Sequence, residues 1–189
     1  MLDDLDNTLK ELLRRGLSPP YEQVEISFVT PDQSLTSKVS LPAIDLFLYD
    51  IRENLELRKT EPLVERNSSG IATQHRPPVR IDCSYLITVW LAEPGDPQVE
   101  HRLLGEVMQV LLRHPKIPAA VLQGSLRQQD PPPRSLALRP AQLQSLGEFW
   151  QAMGGRPKPT LSYTVTLAVP VHTETDTVPL VLDYQVNPS

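Results

Sequence analysis

The stretch 79–91, VRIDCSYLITVWL, constrains the fold of this chain more than any other. Its odd-numbered positions are apolar or aromatic throughout, whereas its even-numbered positions are mainly polar. Because successive side chains of a strand point to opposite faces, this alternation predicts one long, half-buried β-strand. The following run 101–113 has leucine, valine and methionine at helical spacing, which predicts a helix that covers one face of the sheet.

The other periodic segments predict an α+β fold in which about three helices pack on a central, mainly antiparallel β-sheet. Leucines at helical spacing, with acidic residues first and basic residues last, predict a helix that ends near Gly16. Alternation or apolar runs predict strands over 23–29, 44–51 and 161–169. We also expect a short strand over 119–126 and a third helix carrying Leu143 to Met153.

A segment of some 27 residues, 52–78, separates two of these strands and lacks a clear pattern. It is rich in charge, Ser, Gly and Pro, and connections of this length are usually functional or disordered. Parts of it are expected to extend the neighbouring strands as a two-stranded arm. Six Lys and Arg against four Glu over 52–80 make it weakly basic, so it either faces an acidic partner or is a solvated loop.

The C-terminal residues carry a weaker alternation that involves Leu180, Leu182 and Tyr184, after an expected turn over 172–177. An amphipathic terminal strand either pairs with an edge of its own sheet or is donated to a neighbour. We therefore expect one domain over 1–170, with the arm as an insertion, and a C-terminal extension over 171–189 that forms an added strand.

Composition excludes several classes of partner. The net charge of -5 and pI of about 5.4 offer no footprint for nucleic acid or anionic lipid. The N-terminal segment has no signal-peptide pattern, and no apolar run is long enough to span a membrane, so direct membrane insertion is not expected. The one cysteine, Cys83, lies on the apolar face of the central strand and is expected to be a buried structural thiol.

No catalytic, cofactor-binding or metal-binding pattern stands out in the sequence. The four histidines are scattered singly, and no glycine-rich phosphate loop is present. Asp45 and Asp50 lie five positions apart on one predicted strand, so they should point to opposite faces as solvated strand ends. Trp90, on the polar face of the central strand, is either an interface anchor or packed under a helix. The residues therefore predict no enzyme and no cofactor.

Several stretches together resemble one protein family. They are LPAIDLFLYDIREN at 41–54, Leu57-Arg58, RPPVRIDCSYLITVW at 76–90 and HRLLG at 101–105, followed by a helix ending at His114-Pro115 and the closing strand 161–169. In order and spacing they resemble the cap, or tail-terminator, proteins of extracellular phage-tail-like contractile injection systems. The resemblance covers about residues 1–170.

The resemblance implies a tail-terminator-like fold and a structural role with no active site. Such a protein would form a ring, expected to be a hexamer, on the distal end of the inner tube and sheath, end polymerisation and couple the two. The implied partners are copies of itself, the sheath protein and the inner tube protein. The implied location is the cytoplasm, as part of an assembled particle.

The candidate interface residues combine the matching positions with the arm and the tail: Arg52, Asn54, Arg58, Arg66, Arg76, Trp90, Leu180, Leu182 and Tyr184. The alternative is that Arg52 and Arg58 only pair locally with Glu53, Glu56 or Glu61, which contributes little at a surface. Two other functions stay open: another tail-collar component of the same fold, or a small ligand-binding domain or enzyme that uses a pocket between helix and sheet.

Overall fold

The computed structural model describes residues 1–61, 63–66, 71–92, 94–138, 145–171 and 175–179. Its α-helices are α1 (Leu2–Gly16), α2 (Leu35–Lys38), α3 (Pro97–Arg113) and α4 (Leu146–Ala152). Its strands are β1 (Glu25–Ser27), β2 (Ala43–Glu53), β3 (Leu63–Arg66), β4 (Ile71–His75), β5 (Val79–Trp90), β6 (Arg134–Ala137), β7 (Leu161–Val169) and β8 (Thr175–Pro179).

A five-stranded mixed sheet in the order β1-β2-β5-β7-β6 forms the centre of the fold. The predicted long strand is β5, and it lies in the middle between antiparallel β2 and β7. Strand β1 is the one parallel member, paired with β2 from Glu25 opposite Ala43 to Ser27 opposite Asp45. The predicted fold class, α+β with a mainly antiparallel sheet and about three main helices, is therefore confirmed.

Helices α1 and α3 cover the face of the sheet that carries the odd-numbered side chains of β5. Tyr85 and Cys83 are fully buried in this core with the leucines of both helices. The Tyr85 hydroxyl donates to Asp6 Oδ1 of α1 at 2.9 Å, which joins helix and sheet. Burial raises the pKa of the Cys83 thiol to about 12, so the thiol stays protonated and acts as a structural apolar group.

Helix α4 lies on the opposite face of the same sheet. Phe149 contacts Phe47 of β2 with 6.1 Å between ring centroids, and Phe47 pairs with Leu86 of β5. Trp150 packs edge-on against Phe149 and is buried. Ser145 begins α4 by accepting a hydrogen bond from the backbone N–H of Glu148. Because both faces of the sheet are covered here, the even-numbered positions Ser84, Leu86 and Thr88 of β5 are buried as well.

Two predictions from the strand patterns are wrong. The segment 119–126 is not a strand but contains 3-10 turns at Ala119–Val121 and Gly124–Gln128. Asp45 and Asp50 point to the same face, opposite Thr88 and Ser84, because a register shift between Leu48 and Asp50 inserts one residue. Asp45 is also fully buried rather than solvated.

A second sheet, in the order β3-β4-β8, is built from the insertion and the C-terminal part of the chain. Both of its strand pairs are antiparallel, with Leu63 opposite His75 and Ile71 opposite Pro179. The insertion contains two paired strands, which we call the arm, but they belong to this second sheet and do not extend β2 and β5 as expected. The C-terminal strand begins at Thr175, inside the segment predicted as a turn. The division at residue 170 stays a prediction.

Candidate partner-binding surface

The base of the arm is organised by Asn54, which follows the last residue of β2. Its backbone N–H donates to the carbonyl of Arg80 at 2.8 Å, which continues the β2–β5 ladder by one bond. Its side-chain N–H donates to Asp82 at 2.9 Å. Its side-chain Oδ1 accepts a hydrogen bond from the backbone N–H of Leu57 at 3.0 Å. Asn54 therefore turns the chain out of the sheet into the 3-10 turn Leu55–Leu57.

Two of the candidate arginines make local ion pairs. Arg52 Nε donates to Asp50 at 2.6 Å, and Arg58 makes a two-pronged contact with Glu53 at 2.7 and 2.5 Å. The hydrogen bond from Arg58 lowers the pKa of the Glu53 carboxyl. The pairing of Arg58 is the local alternative raised above, whereas Arg52 pairs with an aspartate that the alternative did not name. Both side chains remain exposed.

The remaining candidates are spread over the chain. Arg66 is the last residue of β3, and Arg76 lies exposed between β4 and β5. Trp90 is at the far end of β5, about 33 Å from Arg80 at the usual rise per residue, so it does not join the arginines. Leu180, Leu182 and Tyr184 lie outside the described residues. None of these placements tests whether the residues contact a partner.

Trp90 is held by contacts within the chain. Its ring lies 4.9 Å below the ammonium group of Lys158, which also pairs with Glu100 of α3 at 3.0 Å. Its indole N–H donates to Thr88 at 2.9 Å. These contacts fix the ring while leaving it half-buried, which suits either packing or a rigid contact surface.

Sequence reasoning did not single out an exposed apolar cluster beside the arm base. Ile51, Leu55 and Leu57 are 49%, 67% and 45% exposed, and they alternate with the charged residues of the same segment. Apolar side chains rimmed by charge are typical of protein–protein contact surfaces. The available signal was the Leu55-Glu56-Leu57 pattern, in which two leucines flank a charge immediately after a strand.

Among the described residues there is no candidate metal site and no candidate membrane span. No group of three or more His, Cys, Asp or Glu among the described residues is placed to hold a metal ion. No described helix has the length and apolar character needed to cross a bilayer. The arm base can present charge and exposed apolar side chains to another protein, and β3 and β8 are the outer strands of the arm sheet among the described residues.

Solved structures similar to this chain are components of contractile injection systems. One is the PVC sheath/tube terminator of an extracellular contractile injection system in its extended state, with a TM-score of 0.69 and 25% identity, covering 100% of this chain and 64% of that chain. Another is the anti-feeding prophage cap, a tube-terminating cap, with a TM-score of 0.68 and 24% identity, covering 100% of this chain and 62% of that chain. The chain thus spans less than two thirds of either structure. A search of curated proteins gave no match.

The mixed sheet and the helices on both of its faces thus give this chain the fold seen in these two structures. The sequence itself matches the family described as the Pvc16 N-terminal domain over residues 4–183. The chain therefore belongs to the Pvc16 N-terminal domain family, and the resemblance noted from the sequence is confirmed.

Proposed function

We propose that this chain is a structural terminator of a contractile injection system and not an enzyme. It would sit as a ring on the distal end of the inner tube and sheath, stop their polymerisation and couple the two. The observation that carries the proposal is the match of the whole chain to a sheath/tube terminator at a TM-score of 0.69. Its place would be in the cytoplasm during particle assembly.

The arm supports this proposal because it offers ways to contact neighbours in a ring. A closed ring uses heterologous interfaces, in which one surface of each subunit meets a different surface of the next. In the arm sheet, β3 and β8 are edge strands among the described residues, and edges of this kind accept added strands. We propose a hexamer, with the sheath and the inner tube as the other partners.

Deleting the gene for this chain is expected to give tubes and sheaths of uncontrolled length. Polymers without a terminator keep adding subunits at the free end, so their length distribution should broaden and lose its defined peak. Negative-stain electron microscopy of particles from deletion and complemented strains measures both distributions. Particles of normal length and normal ends in the deletion strain would refute the proposal.

Charge reversal on the arm should weaken its binding to sheath. The double variant Arg66→Glu, Arg76→Glu reverses two positions at the arm, and Arg76 is exposed. Arg58 is left unchanged because its bond to Glu53 shapes the turn. We expect about a tenfold loss of co-sedimentation affinity, which corresponds to ~1.4 kcal/mol.

The matched control for the arm variant is Arg102→Glu, an exposed arginine of α3. It makes the same kind of substitution once, away from the arm, with half the total change of charge, and should co-sediment like the unmodified chain. Circular dichroism and thermal melts establish that all variants fold. Unchanged co-sedimentation of the double variant would show that the arm does not contact sheath through these residues.

A further inference from the structure

A cleft of about 360 Å³ lies beside the arm base, between the segment after the Leu55–Leu57 turn and the loop that precedes β6. Three cationic side chains, Lys59, Arg80 and Arg134, and one carboxylate, Asp130, line it, and we call it the arginine cleft. Its walls are otherwise apolar, formed by Leu57 and prolines. Cations thus converge on a concave surface with largely apolar walls.

Arg80 is the unusual member of this group because it is only 8% exposed. Its Nε is buried and has no hydrogen-bond partner among the described residues. Asp82 attracts the Arg80 guanidinium through its charge, but its carboxylate accepts hydrogen bonds from Thr166 at 2.6 Å and Asn54 at 2.9 Å and none from Arg80 Nε. A buried donor on a residue that lines a cleft, with no partner among the described residues, points to an acceptor supplied from outside.

The electrostatics of the cleft support the same conclusion. Burial, and then the like charge of Arg134, lower the pKa of the Arg80 guanidinium, although arginine remains charged in proteins. Two guanidinium groups that face one cleft repel each other unless an anion lies between them. A planar guanidinium matches the geometry of a carboxylate or a phosphate.

The surroundings favour a carboxylate carried by a protein. Prolines and Leu57 offer the flat apolar contacts that a peptide makes beside its charged group, and the cleft is too small for more than one or two side chains. Asp130 on the lining and the net charge of -5 of the whole chain both act against a dianion or a polyanion. A second pocket continues the cleft towards the arm, sharing Lys59 and Arg80 and adding Arg76.

We propose that the arginine cleft receives an aspartate or glutamate side chain from a neighbouring protein subunit, bound between Arg80 and Arg134. Lys59 adds positive charge at the exposed rim, and the neighbouring backbone lies along the prolines. This inference rests on the proposed function only in taking the neighbour to be a subunit of the same particle. The chemistry of the cleft is independent of that role.

The direct test follows the Arg80 Nε–H signal of the purified chain by NMR, assigned by its loss in Arg80→Lys. The probes are N-acetyl-glutamate amide, its neutral analogue N-acetyl-glutamine amide, and inorganic phosphate. We expect a saturable shift of this signal with the glutamate probe in the millimolar range and none with the glutamine probe. Arg134 is exposed, and Arg134→Gln should weaken binding of the glutamate probe about tenfold. Arg102→Gln, at an exposed position of α3, should leave this binding unchanged.

The result separates this inference from the proposed function because it needs neither sheath nor ring. No saturable shift up to about 50 mM of the glutamate probe would overturn the inference, and so would phosphate binding as tight as the carboxylate. If the glutamate probe binds as expected, Arg134→Glu should reduce incorporation of the chain into particles at least tenfold in quantitative immunoblots. Normal incorporation of that variant would contradict the assignment of the cleft to a neighbouring subunit, even if the gene deletion confirms the terminator role.

Discussion

Replacing Gly16 with alanine is expected to destabilise the chain by about 1–3 kcal/mol. Gly16 is the last residue of α1, and a Cβ there would overlap Cγ1 of Val110 in α3 and lie 2.9 Å from its Cγ2. Val110 is buried and β-branched, so it has no free rotamer into which it can turn. The two helices would have to separate, which loosens the core. Urea denaturation measures the loss as a lower midpoint with an unchanged slope.

Gly105→Ala is the matched control, with the same change of atoms in α3. A Cβ at Gly105 meets nothing within 4 Å, so alanine should gain helix propensity and stabilise the chain by up to ~1 kcal/mol. The two variants are therefore expected to move in opposite directions. A stabilised Gly16→Ala would mean that α1 and α3 do not pack as closely as described.

Elements with an uninterrupted pattern could be predicted from the sequence because their local period reports their burial. The alternation over 79–91 and 161–169 predicted β5 and β7 almost to the residue, and helical spacing predicted α3. Each of these segments buries one face along its whole length. Every second residue of a strand, or every third to fourth residue of a helix, must therefore be apolar. Local propensity and tertiary packing agree there.

Features that depend on a single inserted residue could not be predicted. The register shift between Leu48 and Asp50 changes the face on which every later residue of β2 lies, yet the run IDLFLYDI is apolar on both faces and carries no sign of it. Segment 119–126 contains enough Val, Leu and Ala to suggest a strand, but Pro118 and Gly124 favour turns instead. In both cases the local backbone geometry decides the structure, and the hydrophobic pattern does not report that geometry.

The candidate partner-binding surface also has features that could be predicted from the sequence and features that could not. The position of the arm between two strands was visible in the sequence, as was its basic character. The burial of Arg80 was not, because an arginine at an even position of an alternating strand is expected to face water. Arg80 is buried, and it lines a cleft with Asp130 and Arg134, which are distant in the sequence. Such long-range contacts leave no local pattern.

The contribution of Asp45 to the free energy of unfolding should fall as the pH rises from about 4 to about 6. Burial raises the pKa of this carboxyl from its ordinary 3.8 to about 6, despite hydrogen bonds from Ser27 at 2.6 Å and the N–H of Val29 at 3.0 Å. The folded state therefore holds a proton that the unfolded state has released across this window. The linked loss is about 1–3 kcal/mol, complete above the folded pKa and absent below the unfolded one.

Asp45→Asn should remove this loss, since its side-chain carbonyl can still accept both hydrogen bonds and no charge is buried. The variant is expected to be more stable than the unmodified chain at pH 8, by about 1–2 kcal/mol, and to lose that advantage at pH 4. Urea denaturation at pH 4, 6 and 8 measures the difference between the two proteins. Other carboxyls, such as the half-buried Asp6, whose pKa burial also raises, contribute equally in both proteins, so their effects cancel in the difference.

Asp50→Asn separates this effect from the mere loss of a negative charge. Asp50 lies on the same face of the same strand but is only half-buried and paired with Arg52. Its substitution should therefore leave the change in stability between pH 4 and pH 8 close to that of the unmodified chain. If Asp45→Asn instead kept the same pH dependence, the carboxylate would have to be solvated in the folded protein. The parallel pairing of β1 with β2, which encloses Asp45 beside Ser27, would then be wrong.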